Sequence, residues 1–244
     1  MAEGPSAPPA DSTLEGDAAT GMIQIPLDAF FQVRLALPRL RPLPPLDGSL
    51  QGWPAAARLP DLSSLHFQSA FGQVYVGWTL DGIAFAVAVA TSHPLRLDRE
   101  HPFRSDGLEI WIDTRDSRTA RKPTRFCHHF LVLPGASGTR GAPPHVQEMN
   151  PGGVRRAEEM ADLSRVHLAA RIPGLPAQGS KGYSLEGFLP REVLTGYAPL
   201  ESTSIALGYR LRSSIDGVQD LAFGTAFPLW RNPSLWLSAA LVGA

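Results

Sequence analysis

Two consecutive apolar segments, QVYVGWTL (73–80) and GIAFAVAVAT (82–91), constrain the fold of this chain more than any other feature. They meet at Asp81-Gly82, a dipeptide typical of tight hairpin turns. Large and small apolar residues alternate along the second segment, in the order Ile83, Ala84, Phe85, Ala86, Val87, Ala88, Val89 and Ala90. A strand that is apolar on both faces lies inside a sheet rather than at its edge. The pattern therefore predicts an antiparallel hairpin whose second strand is central in its sheet.

Period-two alternation predicts further strands along the rest of the chain. They cover residues 23–27, 31–35, 108–114, 126–133, 164–172, 181–188, 203–212 and 234–242. Short helices are expected only at 154–162 and 190–195, and residues 38–60 form a proline-rich, irregular excursion anchored by Trp53. About ten strands with Gly and Pro turns between them indicate an all-β fold, an antiparallel β-sandwich of jelly-roll or immunoglobulin-like type.

The charge balance argues against two classes of partner. The chain has 22 Lys and Arg residues against 23 Asp and Glu residues, which favours neither nucleic acid nor an anionic membrane. No apolar run reaches the roughly 20 residues that span a bilayer.

The start of the chain bears on its domain organisation and location. Residues 1–20 are rich in Pro, Ala, Gly and Ser, which predicts a disordered tail or linker, and we expect residues 21–244 to form a single domain. The tail has neither the basic n-region nor the apolar h-region of a signal peptide. We therefore expect a soluble, cytoplasmic protein. A chain from which an export signal had been removed would look the same, and would be secreted or periplasmic.

The segment DGLEIWID (106–113) has aliphatic residues on one face of a predicted strand and Glu109, Trp111 and Asp113 on the other. If the aliphatic face looks into the sandwich, Trp111 stands on the outer face between two carboxylates. An exposed aromatic ring can cover the apolar face of a sugar while flanking polar groups bind its hydroxyls. The alternative is that a loop or a neighbouring strand covers Trp111.

The next segment, TRDSRTARKPTR (114–125), carries five basic residues and one acidic residue. We expect a structural role, in which Asp113 or Asp116 pairs with one of the arginines at positions 115, 118 and 125. A phosphate or nucleic-acid site is the alternative, but a single loop on a nearly neutral chain supports it poorly.

Adjacent histidines follow in RFCHHFLVLP (125–134). Alternation places His128 on one face and Cys127 with His129 on the other. Zinc needs three or four protein ligands, which His93 and His101 could complete only through tertiary contacts. Cys127 is the only cysteine, so neither an intrachain disulfide nor a CxxC motif is possible. We expect packed or hydrogen-bonded histidines here.

Enzyme motifs are missing from the sequence. It contains no GxSxG, HExxH, P-loop or glycine-rich dinucleotide motif. Pairs of carboxylates occur, at Glu158-Glu159 and at Asp106 with Glu109, but without geometry they do not indicate a glycosidase. We expect a protein without catalytic activity.

Five motifs occur in an order that resembles one family. They are YVGWTL, the hairpin into IAFAVAVAT, SDGLEIWIDTRD, GYSLEGFLP and NPSLWLSAAL. Over about residues 45–244 the chain looks like the family 9 carbohydrate-binding modules and the wider DOMON-like sandwich superfamily. DGLEIWIDTRD followed by RFCHHFLVLP resembles, more closely, uncharacterised bacterial proteins of planctomycete type. The resemblance implies a β-sandwich, whereas the ligand stays open, because the superfamily holds sugar binders, haem binders and modules of unknown purpose.

The resemblance also bears on the choice of candidate site residues. Family 9 modules typically clamp a terminal sugar between two tryptophans, and several carry structural calcium. The candidates for the clamp are Trp78, Trp111, Trp230 and Trp236, of which Trp236 is expected in the core. We predict that Trp78 and Trp111 stack on sugar. The predicted hydrogen-bonding residues are Glu109, Arg118, Arg125 and His128. The predicted ligands of a structural calcium ion are Asp98, Glu100 and Asp106.

Two other functions are compatible with the same residues. A haem-binding, electron-transfer module would need axial ligands, for which His128, His129, Met149 and Met160 are available. A structural or protein-interaction domain would use its proline-rich tail and exposed aromatic residues to bind a protein partner.

Overall fold

The described part of the chain contains eleven strands. The computed structural model describes residues 33–66, 69–91, 93–98, 100–135, 143–155, 160–172, 182–221 and 227–243. The strands are β1 (Arg34–Pro38), β2 (Gly72–Thr79), β3 (Gly82–Val89), β4 (Gly107–Asp113), β5 (Cys127–Leu133), β6 (His145–Met149), β7 (His167–Arg171), β8 (Tyr183–Pro190), β9 (Ser204–Ser213), β10 (Gly217–Asp220) and β11 (Leu237–Val242).

Helical structure is confined to single 3₁₀ turns among these residues. They cover Ala55–Ala57, Ser63–His66, Pro102–Arg104, Pro151–Gly153, Leu163–Arg165, Arg191–Val193, Leu229–Arg231 and Pro233–Leu235. No helix in the described part of the chain has both the length and the apolar character of a membrane span.

The strands form two sheets, as a sandwich requires. The large sheet has the order β1-β11-β9-β4-β5-β6, with β10 paired to β9, and the small sheet has the order β2-β3-β8-β7. The β1–β11 pair is parallel, whereas the other pairs are antiparallel. The predicted all-β sandwich with only short helices is confirmed, except for this one parallel pair.

The core lies between the sheets and follows the predicted alternation. Ile83, Phe85 and Val87 of β3 meet Leu108 and Ile110 of β4 in one apolar cluster. Strand β3 pairs with β2 on one side and β8 on the other, so its predicted central position is confirmed. Burial of this many large aliphatic and aromatic side chains is the main stabilising contribution to such a fold.

The β2–β3 hairpin is confirmed, but its turn lies one residue earlier than predicted. Thr79 pairs with Gly82, so Leu80 and Asp81 form the turn. Gly82 has a φ of 156°, and a Cβ atom there would lie 2.2 Å from the Leu189 carbonyl oxygen. The glycine is therefore required by close approach of β8 rather than by the turn itself.

Several predicted boundaries change. Strands β6 and β10 were not predicted, and residues 164–165 belong to a 3₁₀ turn rather than to β7. The predicted helix at 190–195 corresponds to the turn Arg191–Val193. Residues 154, 155 and 160–162 are not helical, and residues 156–159 lie outside the described residues. The predicted tail at 1–20 and the strand at 23–27 also lie outside them, so the domain organisation stays a prediction.

Candidate functional site

Trp111 stands on the outer face of the large sheet, as predicted, but other side chains cover it completely. Its ring is 0% exposed and packs with Trp236 and Leu229 from the C-terminal part of the chain. It stacks on His129 with a centroid distance of 4.8 Å, and the Arg210 guanidinium lies 5.8 Å from its centroid. No face of the ring is open, so the predicted stacking of a sugar on Trp111 cannot occur in this structure.

Glu109 belongs to a buried polar network on the same face. Its carboxylate bonds His129 Nε2 at 2.8 Å and accepts a hydrogen bond from Arg212 Nε at 2.6 Å. Burial alone would raise the pKa of Glu109, but the hydrogen bond with His129 and the charges of His129, Arg212 and Arg210 outweigh it and lower that pKa. The carboxylate is saturated by protein groups, so the structure does not present it to a sugar hydroxyl.

His128 lies on the opposite face of β5, between the sheets, and is 0% exposed. Its Nδ1 is 2.8 Å from Glu148 Oε1, which also accepts from Arg155 Nη2 at 2.5 Å. Burial opposes ionisation of Glu148, yet the hydrogen bonds with His128 and Arg155 and their charges lower its pKa. The expectation of packed, hydrogen-bonded histidines is confirmed, and contact of His128 with a sugar is not possible here.

Trp78 is also 0% exposed. Its indole Nε1–H donates to the Val242 carbonyl oxygen at 3.1 Å, and the Arg39 guanidinium lies 5.2 Å from the ring centroid. The Trp78 ring therefore belongs to the core, as the Trp236 ring does, and cannot stack on a ligand in this arrangement.

Only Arg118 and Arg125 among the predicted sugar-binding residues are exposed. Arg118 Nη1 donates to the Trp236 carbonyl oxygen, and the Arg125 guanidinium lies 4.9 Å from the Phe126 ring centroid. The structure thus separates the predicted residues over the core, the outer face of the large sheet and an exposed loop, and does not bring them into one site.

The predicted calcium ligands are not assembled into a metal centre. Asp98 Oδ1 accepts from the backbone N–H groups of Glu100 and His101, whereas the two Asp106 oxygens accept from those of Arg96 and Ser214. Within the described residues, no three His, Cys, Asp or Glu side chains are placed to hold one metal ion. Structural calcium stays a prediction without an assembled ligand set.

The residues considered for haem are also dispersed. His128 and His129 point to opposite faces of β5, and each is bonded to a buried glutamate. Met149 is paired in register with His129 on the adjacent strand. Nothing in these contacts selects a pair of axial ligands.

A half-exposed aromatic surface lies instead on the outer face of the small sheet. Trp53 and Tyr75 are both half-buried, with ring centroids 6.1 Å apart and planes inclined by 53°. Trp53 donates its Nε1–H to Glu186 Oε1 at 2.6 Å. Glu186 is 0% exposed, and its second oxygen accepts from the Gly48 N–H at 2.5 Å. A buried carboxylate therefore fixes both the indole ring and the excursion that carries it.

The sheet register explains how Trp53 reaches Glu186. Tyr75 of β2, Ala86 of β3 and Glu186 of β8 are paired side by side across the sheet. The methyl group of Ala86 leaves room above the sheet between the two larger side chains. The alternating alanines of β3 thus fit its central position in the sheet, and their small size also leaves space for a loop to cover its outer face.

Hydrogen-bonding groups border the two rings. In the adjacent row of the sheet, Gln73 and Arg171 occupy the outer strands. The Tyr75 hydroxyl donates to Gln73 Oε1 at 2.9 Å, and Arg171 forms an exposed ion pair with Asp47 at 2.8 Å. We call Trp53, Tyr75, Gln73, Asp47 and Arg171 the Trp53 platform. Sequence reasoning identified Trp53 only as an anchor, because the irregular excursion has no periodicity that would reveal an exposed ring.

Comparisons with known proteins give a fold but no sequence family. No protein-family model and no curated protein matches the chain. Two solved structures of a family 9 carbohydrate-binding module from Caldicellulosiruptor kristjanssonii are similar to it. The complex with glucose has a TM-score of 0.60 and 16% identity, and the match covers 87% of this chain and 97% of that chain. The complex with cellotriose has a TM-score of 0.57 and 16% identity, and the match covers 85% and 93%.

The fold predicted from the motif order is therefore confirmed, whereas the closer resemblance to planctomycete-type proteins has no support in these matches. At this level of identity the likeness is one of architecture. The chain has the β-sandwich fold of family 9 carbohydrate-binding modules.

Proposed function

We propose that this protein is a non-catalytic carbohydrate-binding module that holds sugar on the Trp53 platform. The observation that carries the proposal is the half-exposed Trp53 ring, held by the fully buried Glu186 beside Tyr75. Such a ring can cover the apolar C–H face of a pyranose. Because the side chain is already fixed, it loses little conformational freedom when sugar binds. Gln73, Asp47 and Arg171 supply acceptors and donors for its hydroxyls. The shared fold with sugar-binding modules supports the same conclusion.

A binding role also agrees with the chemistry of the buried polar groups. Glu109 and Glu148 are each saturated by histidine and arginine partners, and neither is open to a substrate. The platform itself has two half-exposed, mutually inclined aromatic rings with an exposed polar rim, which suits recognition rather than enclosure of a reacting bond. We therefore place the function in ligand binding.

The test is calorimetric titration of the protein with glucose, cellotriose and a panel of neutral oligosaccharides, with and without calcium. We expect weak binding that Trp53→Ala reduces by at least about tenfold, equivalent to about 1.4 kcal/mol. Trp230→Ala is the matched control, because Trp230 is 46% exposed but belongs to the turn Leu229–Arg231, away from the platform. Circular dichroism of both variants checks that the fold is kept.

The possible results of this titration distinguish a wrong binding site from a wrong function. Binding that Trp53→Ala leaves unchanged would show that sugar binds elsewhere on the molecule. The absence of any binding across the panel by the folded parent would contradict the carbohydrate function itself. A requirement for calcium would support the predicted structural ion.

A further inference from the structure

The loop between β4 and β5 carries an unusual concentration of positive charge. Residues 114–126 hold Arg115, Arg118, Arg121, Lys122 and Arg125, with Asp116 as their single acidic residue. All five basic side chains are exposed. The rest of the chain is net negative: it has 17 basic and 22 acidic residues, a formal charge of -5, against +4 in the loop.

The nearby carboxylates do not neutralise these cations through ion pairs, which corrects the pairing expected from the sequence. Asp113 accepts from the backbone N–H groups of Arg115 and Ser117, at 3.0 and 2.8 Å. Asp116 accepts from the Ser238 hydroxyl at 2.5 Å. Among the described residues, no acidic group lies within ion-pair distance of the basic side chains of this loop.

The acidic and hydroxyl groups of the loop instead hold its backbone against the sandwich. The Thr114 hydroxyl donates to the Thr195 carbonyl oxygen at 2.7 Å, and Arg118 donates to that of Trp236. The guanidinium groups of Arg115 and Arg125 lie 5.2 and 4.9 Å from the Phe126 ring centroid. A loop that is tied down at several points presents its free cations at defined positions, which lowers the entropic cost of binding an anion.

We propose that Arg115, Arg121, Lys122 and Arg125 form a binding surface for an acidic polysaccharide that bears carboxylate or sulfate groups. The proposal rests on the proposed carbohydrate function and extends it to charged glycans. Several cations spread along one loop match a chain with repeated negative charges better than they match a single small anion. The planar guanidinium forks suit carboxylate and sulfate oxygens. Nucleic acid is the other polyanion with this charge pattern, and the proposed carbohydrate function favours the polysaccharide.

The experiment compares two double variants with the parent protein. Arg121→Gln with Lys122→Gln removes two exposed cations that form no side-chain hydrogen bond, ion pair or ring contact among the described residues, so folding should be unaffected. Arg104→Gln with Arg165→Gln is the matched control, because it removes two exposed cations from the 3₁₀ turns Pro102–Arg104 and Leu163–Arg165. Binding is measured by affinity electrophoresis and by calorimetry with polygalacturonate, dextran sulfate, neutral dextran and a single-stranded DNA oligonucleotide, each at several salt concentrations.

We expect the parent to bind polygalacturonate or dextran sulfate at low ionic strength. The Arg121→Gln, Lys122→Gln variant should bind at least about tenfold more weakly, with a shallower salt dependence, while the control keeps its affinity. Preference for polygalacturonate would identify carboxylate as the recognised group, and preference for dextran sulfate would identify sulfate. Tighter binding of DNA than of either polymer, or equal loss of affinity in both double variants, would overturn the proposal.

Failure of this inference can be told apart from failure of the carbohydrate function. The loop proposal alone is overturned if neutral sugar binds through Trp53 but acidic polymers do not bind. It is also overturned if acidic polymers bind the parent and the loop variant equally. Absence of binding to every neutral and acidic saccharide overturns both proposals.

Discussion

At the scale of single residues, the two-residue period of a strand decides the chemistry of neighbouring side chains. His128 points into the sandwich and bonds Glu148, whereas His129 points to the outer face and bonds Glu109. Two adjacent residues of the same type therefore belong to separate buried networks. The alternation of β5 was readable in the sequence. The sequence did not show the glutamate partners of His128 and His129, because this pairing depends on the register of β4 and β6 against β5.

Trp111 gives a direct test of whether its ring supports the fold. We expect Trp111→Ala to lower the free energy of unfolding by about 3–5 kcal/mol, the usual cost of removing a buried aromatic ring. Trp111→Phe should cost less than about 1.5 kcal/mol, because it keeps much of the packing and removes an indole N–H that has no partner among the described residues. Urea unfolding measures both values. A Trp111→Ala protein with parental stability would contradict the burial described here.

At the scale of elements, alternation predicted which face a residue occupies but not what covers that face. The pattern of Ile83 and Phe85 correctly placed β3 at the centre of its sheet. The same reasoning put Trp111 on an outer face, yet Trp236 and Leu229 cover it after a long separation in sequence. The edge strand β6, with the sequence HVQEM, has too little apolar alternation to be recognised. Coverage and edge pairing are tertiary properties, which a local pattern does not contain.

The candidate site was missed for a related reason. Trp53 lies in an irregular excursion, and its orientation depends on Glu186, which comes from a strand far along the chain. The sequence showed Trp53 as an anchor and the alanines of β3 as a small-residue face. The pairing of β2, β3 and β8, together with the hydrogen bonds of Gly48 and Trp53 to Glu186, shows that the excursion lies over that face.

Gly82 is the position where the hairpin depends most on a single residue. Both Gly82 and Gly217 have positive φ, 156° and 92°, but a Cβ atom at Gly217 would meet nothing within 4 Å. Gly217→Ala should therefore cost about 1–2 kcal/mol, from backbone conformation alone. Gly82→Ala should cost more than about 3 kcal/mol, because it adds a clash with the Leu189 carbonyl oxygen. Equal unfolding free energies for the two variants, measured in urea, would show that β8 does not approach Gly82 closely.

At the scale of the whole molecule, the two buried glutamate networks hold both faces of β5. Glu109 joins β4, β5 and β9 on the outer face through His129 and Arg212. Glu148 joins β6 to β5 and to the segment around Arg155 and Ala161. Each carboxylate accepts bonds from at least two separate parts of the chain, so its charge contributes to the association of strands rather than to one local contact.

These networks predict how stability depends on pH. The folded-state pKa values of Glu109 and Glu148 are lowered from the ordinary value of 4.5, so the folded protein releases these protons more readily than the unfolded chain. Their stabilising contribution is fully present above that ordinary value and is lost as the pH falls through the lower, folded-state values. We expect the free energy of unfolding to decline steeply below about pH 4.5, as both carboxylates become protonated and leave the buried Arg155 and the half-buried Arg212 without a counter-charge.

The double substitution Glu109→Gln, Glu148→Gln tests this origin of acid sensitivity. The variant should be less stable than the parent at pH 7, because Arg155 and Arg212 lose their charged partners. Its stability should change less than that of the parent on acidification from above to below the ordinary carboxyl pKa of 4.5. Glu201→Gln, at an exposed position, is the control and should keep the parental pH dependence. Urea unfolding at each pH gives the comparison. If the double variant lost stability on acidification as steeply as the parent, the buried networks would not be the groups whose protonation unfolds the sandwich.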